Sequence, residues 1–229
     1  MMKGSIMGIT ERKIREKEER RALILNKAKD LILEQGVDLL SMQEIANRSE
    51  LSKATLYLYF LNKEALLDAI LEDAASTFVA FVRGHILPEA SGLEGIHALW
   101  SSYLNFFWQS QDIFILIGIS RYVNPGFPLN LEDEQNENSW PLKELIDLIA
   151  ELLGRGVADG TIDAAVDPDK TARIVIMVAF SIIDQVTRLP RLARDDKKIH
   201  TMLRDTFEIL LRGLAGKDSD LALLVLPES

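Results

Sequence analysis

Seven polar side chains fall within one short stretch: Ser41, Ser52, Lys53, Thr55, Tyr57, Tyr59 and Lys63. Hydroxyls, phenols and ammonium groups at this spacing suit hydrogen bonding and charge neutralisation rather than bond making. Two short helices position them. Ser41 with Glu44 three residues on reads as a capping box, the hydroxyl accepting from a free backbone N–H while the carboxylate reaches back. Ile45 and Ala46 give that helix a buried side. Ser52 starts a second short helix, whose Leu56 and Phe60, with Leu51 before it, are placed to meet Ile45 and Ala46. Lys53, Thr55, Tyr57 and Tyr59 are left facing outward. A helix of about two turns with such a face suits the major groove, where lysine pairs with guanine O6 and N7 and threonine meets a thymine methyl. Phosphate contacts from Ser41, Tyr57, Tyr59 and Lys63 would set the register. Asn62 caps the next helix and brings Lys63 to its free N–H groups, an anion site. On spacing alone, a small helical corner whose tyrosines only pack reads the same way.

The run LSKATLYLYFLNKEALL, preceded by SMQEIA and ILNKAKDLILEQG, resembles the DNA-binding end of the TetR family of one-component bacterial repressors. The likeness is specific over about residues 18–78 and architectural beyond. It implies an all-α chain of about nine helices: a charged extension (1–17), a three-helix DNA-binding domain (18–78, helix-turn-helix about 41–60) and a helical ligand-binding and dimerisation domain (79–229). The family's DNA contacts, carried over position by position, give a list similar to the one above. Two positions depart from the pattern. Glu50 stands where many relatives carry glycine, and a positive φ there costs on the order of 1 kcal/mol. Leu58 stands where some relatives place an aromatic.

Charge is unevenly distributed. The net charge is −9, yet residues 1–63 hold 12 Lys and Arg against 9 Asp and Glu, leaving 14 against 26 in the rest. An acidic body with a basic end suits a protein that touches DNA through that end alone. With 48% hydrophobic residues the chain can bury a substantial core. It has no cysteine, which excludes disulfides, thiolate metal sites and cysteine nucleophiles and fits a reducing cytoplasm. No uncharged window is long and apolar enough to span a bilayer, and no export segment opens the chain.

Along the remaining chain, one long helix is expected from Thr10 to Gly36, amphipathic through Leu23, Ile24, Leu25, Ala28, Leu31 and Ile32. Its charged start offers Arg12, Lys13, Arg15 and Lys17 to phosphates. The interleaved Glu11, Glu16, Glu18 and Glu19 favour a solvated helix of mixed charge instead. Further helices are expected over Lys63–Val82, Leu93–Gln109 and Asp112–Arg121, and from Ser139 and Pro141 to glycines at 154, 156 and 160 that close it. Two more follow, from Pro168, and over Asp195–Leu214 with a stripe of Ile199, Leu203, Thr206, Leu210 and Leu214. The IVIMVAFSII run of the Pro168 helix must be covered all round, which predicts a homodimer through about residues 167–214. Residues 122–140 form a loop that could act as a lid.

Trp100, Tyr103, Phe107, Phe114, Tyr122 and Phe180 are the candidate lining of a pocket for a small, largely apolar effector; ordinary core packing is the competing reading. No cofactor and no metal site are expected. His85, His97 and His200 are not spaced i, i+4, and no nucleophile elbow, P-loop or H-E-x-x-H run exists, so no enzyme is expected. The glycines at 154, 156 and 160 do not fit a dinucleotide fingerprint. The expectation is a cytoplasmic transcriptional regulator, a dimeric repressor on an inverted-repeat operator. The alternative is a helical dimeric interaction or ligand-binding module without DNA binding.

Overall fold

The computed structural model describes residues 9–123, 140–188, 195–217 and 219–227. The predicted lid falls mostly on 124–139, outside the described residues. The chain divides into two compact units, Met1–Ile70 and Leu71–Ser229.

In the first unit, α1 (Ile9–Gln35) stays exposed from residue 10 to 23 and then buries Ile24, Leu25, Ala28, Leu31 and Ile32. Leu23, expected on that stripe, faces solvent instead. Gly36, at φ +86°, adopts the left-handed conformation that ends the helix. Next come α2 (Met42–Arg48), α3 (Lys53–Tyr57) and the start of α4 (Lys63–Arg83). Ile45, Ala46, Leu56, Phe60, Leu66 and Ile70 close the core. The Arg48 guanidinium pairs with Glu34, joining α2 to α1.

The second unit holds the rest of α4 and α5 (Gly92–Gln109), α6 (Gln111–Ile117), α7 (Ser120–Val123), α8 (Trp140–Asp159), α9 (Pro168–Arg188) and α10 (Asp196–Leu214), followed by a 3-10 turn (Leu221–Leu224). The segment expected as one helix from Asp112 to Arg121 is two, interrupted at Gly118, where α6 ends. A capping box that the sequence reading did not identify starts α5: Glu94 N–H donates to Ser91 Oγ, and Ser91 N–H donates to the Glu94 carboxylate at 2.7 Å. At the head of α9, Asp167 accepts from Lys170 N–H.

Only one of the three glycines expected to close α8 does so. Gly154 and Gly156 lie inside α8, and Gly160, at φ +80°, terminates it. A Cβ on Gly92 would sit 2.0 Å from the Gly156 backbone nitrogen, and one on Gly156 would sit 2.5 Å from Ile162 Cδ1. These glycines let α5 and α8 approach backbone to backbone.

One stripe also differs from expectation. On α10 the buried row is Ile199, Leu203, Phe207, Leu211 and Leu214, with Thr206 and Leu210 only half-buried, because Phe207 stacks flat on Trp100 at 3.9 Å and sets the helix's rotation. On α9 the chain itself covers one side, through Val175, Ile176, Ala179, Phe180 and Ile183, and leaves Ile174, Ser181 and Gln185 facing outward, so one side of the helix is uncovered within the single chain. The C-terminal segment docks on the body, where Leu226 is buried, its N–H donates to Glu208, and His97 Nε2 bonds the Val225 carbonyl.

Candidate nucleic-acid interface

Ser52 N-caps α3: its Oγ accepts from Thr55 N–H at 3.0 Å and lies 2.8 Å from Thr55 Oγ1. Both hydroxyls are therefore partly engaged in holding the helix start, which fixes α3 on the turn before it. Lys53 and Tyr57, one helical turn apart, share an exposed face, and Lys53 makes no ion pair among the described residues. Tyr59 is half-buried. Lys63 is half-buried too, and its ammonium donates to the Val37 carbonyl at 3.0 Å, leaving two of its three N–H donors for an anion. Asn62 Oδ1 accepts from Ala65 N–H at 2.8 Å, as a cap should.

Ser41 Oγ accepts from Glu44 N–H at 3.2 Å, but the expected box is only half made. The Glu44 carboxylate accepts from Gln35 Nε2 at 2.9 Å, so it ties α2 to α1 instead of reaching back. In the turn, Glu50 has φ 56°. Three apolar side chains also face outward here, of which the sequence marks only Leu58. Ala54 is exposed on α3, and Leu58 and Leu61 are 78% and 80% exposed just after it. Their position off the Leu56–Phe60 row was the available signal, and such groups match thymine methyls.

The second unit contains a cavity of about 20 Å³ lined by carbon alone. Trp100 and Tyr103 of α5, Phe114 of α6 and Phe180 of α9 line it, together with Phe78 of α4 and residues of α8. Of the candidate pocket residues, Phe107 is absent from the lining and packs edge-on against Phe114. Tyr122 is half-buried and is also not part of the lining. Burial pushes the Tyr103 phenol well above its usual pKa, so it is neutral, with its hydroxyl 3.4 Å from the Ala179 carbonyl. Among the described residues no group of His, Asp or Glu is placed to hold a metal ion, and no helix is long and apolar enough to cross a membrane.

A capped short helix held on a tight turn, with a lysine and a tyrosine facing out, defines a helix-turn-helix DNA-binding protein. Residues 24–70 match the family model described as bacterial regulatory proteins, tetR family. The match covers the helix-turn-helix segment and assigns it to the DNA-binding part of a transcriptional regulator. The chain is 21% identical over 204 residues to the fatty acid metabolism regulator protein of Bacillus subtilis, covering 89% of this chain and 100% of that one. It is 27% identical over 107 residues to the HTH-type transcriptional activator FasR of Mycolicibacterium smegmatis, covering 47% and 49% of the two chains. In fold it is similar to the fatty acid degradation regulator FadR from Bacillus halodurans, with TM-score 0.65, 18% identity and coverage of 86% and 97%.

Proposed function

We propose that the protein is a cytoplasmic homodimeric repressor whose two α3 helices read an inverted-repeat operator, and that a ligand with an acyl or similar hydrocarbon chain releases it. The observation that carries the ligand class is the all-carbon wall of the cavity between α5, α8 and α9. Such a wall takes a hydrocarbon chain and leaves any carboxylate or other polar head outside. The names of two relatives, both regulators of fatty acid metabolism or degradation, support that class.

Size supplies the mechanism. About 20 Å³ holds roughly one water, whereas ligand pockets measure about 300–1,000 Å³. A chain can enter only by moving side chains and the helices that carry them. Phe78, whose ring meets Tyr103 and Phe106 edge-on at 5.6 and 5.1 Å, hands that displacement to α4. Helix α4 runs on in sequence from the DNA-binding segment, so its tilt changes how the recognition helices are presented. The ligand must favour the displaced form over the DNA-binding form; about 100-fold, or roughly 2.7 kcal/mol per site, weakens operator binding greatly. Loss of grip on ligand binding makes repression the natural output.

Dimerisation has its own support. Ile174, Met202 and Ile209 are 41%, 47% and 68% exposed on α9 and α10, and an open groove lined by Met202, Thr206 and Ile209 runs along α10. A second copy packed across a two-fold axis would cover these side chains.

The test pairs two measurements. Lys53→Ala with Tyr57→Ala should abolish preference for a duplex selected from random DNA while leaving self-association intact; retained preference would sink the assignment of α3. A series of saturated fatty acids of increasing chain length should lower affinity for that duplex progressively. An affinity indifferent to chain length at every salt concentration rejects the ligand class but not the DNA reading.

A further inference from the structure

We propose that the exposed N-terminal turns of α1 are a second DNA contact, a cationic rod that lies on the phosphate backbone beside the half-site taken by α3. This rests on α3 being the recognition helix. Residues 10–23 are all exposed, a helical length of roughly 20 Å standing clear of the core.

The interleaved charges of this rod are sorted by face. Arg12 pairs with Glu16 at 2.8 Å and Arg15 with Glu19 at 3.3 Å, so those arginines are neutralised on their own sides of the helix. Lys13, Lys17 and Arg20 make no ion pair among the described residues. They recur at spacings of four and three, which puts them in one row. The next position in that row, four residues on, is Ile24, which is fully buried. The cationic row is therefore the outward continuation of the side of α1 that faces its own domain.

A contact shows what lies on that side. The Arg21 guanidinium carbon sits 5.2 Å from the centroid of Phe60, three residues past the end of α3. The row thus leaves the domain next to the C-terminal end of the recognition helix, continuous with that surface. Glu16 borders it beside Arg20 and is held by Arg12. Like charges along one row oppose an isolated helix, and a polyanion laid against them removes the repulsion. Duplex DNA fits, with a negative charge about every 1.7 Å of axis. A contact of this kind adds affinity and salt dependence and carries no base preference.

The experiment uses the full-length protein and a duplex recovered from random-sequence DNA by the wild type, prepared with flanks of increasing length. Lys13→Gln, Lys17→Gln and Arg20→Gln are combined, with helix content checked by circular dichroism, since glutamine is a good helix former. The plot of log affinity against log salt should become shallower by roughly 0.9 for each phosphate that the variant no longer neutralises. The wild type should gain affinity as flanks lengthen and the variant should not, while base preferences within the site stay unchanged. Lys17→Gln alone, expected to give a smaller change in the same direction, covers the case in which the triple variant loses helix. A variant with the wild-type salt slope and flank dependence, or one with altered base preference, overturns the proposal. Failure of the wild type to select any duplex, or unchanged base preference in the Lys53→Ala, Tyr57→Ala variant, would instead indict the reading of α3.

Discussion

Glu50 holds a left-handed backbone, φ 56°, in the turn that sets α3 against α2. A side chain with a Cβ is strained there and glycine is not. Glu50→Gly should therefore stabilise the DNA-binding domain by about 1 kcal/mol, read as a higher urea midpoint; an unchanged or lower midpoint contradicts the strain. That position was legible, because the family pattern marks it as a glycine site. His200 was not. It is buried, its ring lying 5.0 Å from that of Trp108, and burial, aided by Arg204, lowers its pKa. The unfolded chain then binds the proton more readily than the folded one, so stability present at neutral pH declines as pH falls through about 6.5, the unfolded value. His200→Gln should flatten the melting temperature between pH 7.5 and 5.5, and an equal slope in wild type and variant would remove His200 as the cause. Arg204, one turn further along the same helix, was readable as a neighbour, but burial against Trp108, which comes from α5, was not. Lys63 is a similar case: its type and cap position were readable, but its bond to Val37 depends on how the chain folds back.

At the scale of elements, most helix ends follow from caps and breakers that are adjacent in sequence. Ser52, Asn62, Asp167 and Asp195 each accept a backbone N–H as their positions suggest. What the sequence hid was contact between distant segments. Gly156 reads locally as a helix breaker, yet it serves the close crossing of α5 on α8. Gly92→Ala should cost about 1–3 kcal/mol, because the new Cβ would strike backbone that cannot swing aside. Gly84→Ala, whose Cβ would meet only the Ala80 and Phe81 carbonyl oxygens, at 3.5 Å, should lie within about 0.5 kcal/mol of wild type. Similar losses at the two positions, by calorimetry, would mean the crossing is loose. Pocket membership was only partly readable for the same reason: helical spacing gathers aromatics on α5, but Phe107 turns toward Phe114 and His200 instead of lining the cavity. Ile176→Ala enlarges the cavity at a cost of about 2–5 kcal/mol. It should also let a fatty acid bind with less displacement, so that binding releases less DNA. Unchanged coupling between ligand and DNA affinity would count against side-chain displacement as the trigger.

For the whole molecule, the apolar run of α9 predicts a two-fold partner, and the single chain leaves apolar side chains exposed on both α9 and α10. They include Ile174, Met202 and Ile209. Ile209→Glu places a charge there without touching the core row of α10. It should shift the protein toward monomer in sedimentation and lower operator affinity by at least tenfold, since one recognition helix replaces two; a dimer of undiminished affinity would move the interface elsewhere. The most direct test of the central claim is a hydroxyl-radical footprint of the wild-type protein on its selected duplex. Two protected segments should appear on one face of the DNA, related by inverted repeat and centred about one helical turn, 34–36 Å, or a multiple of it, apart. A single protected segment, or protection that ignores sequence, contradicts a pair of recognition helices presented by a dimer.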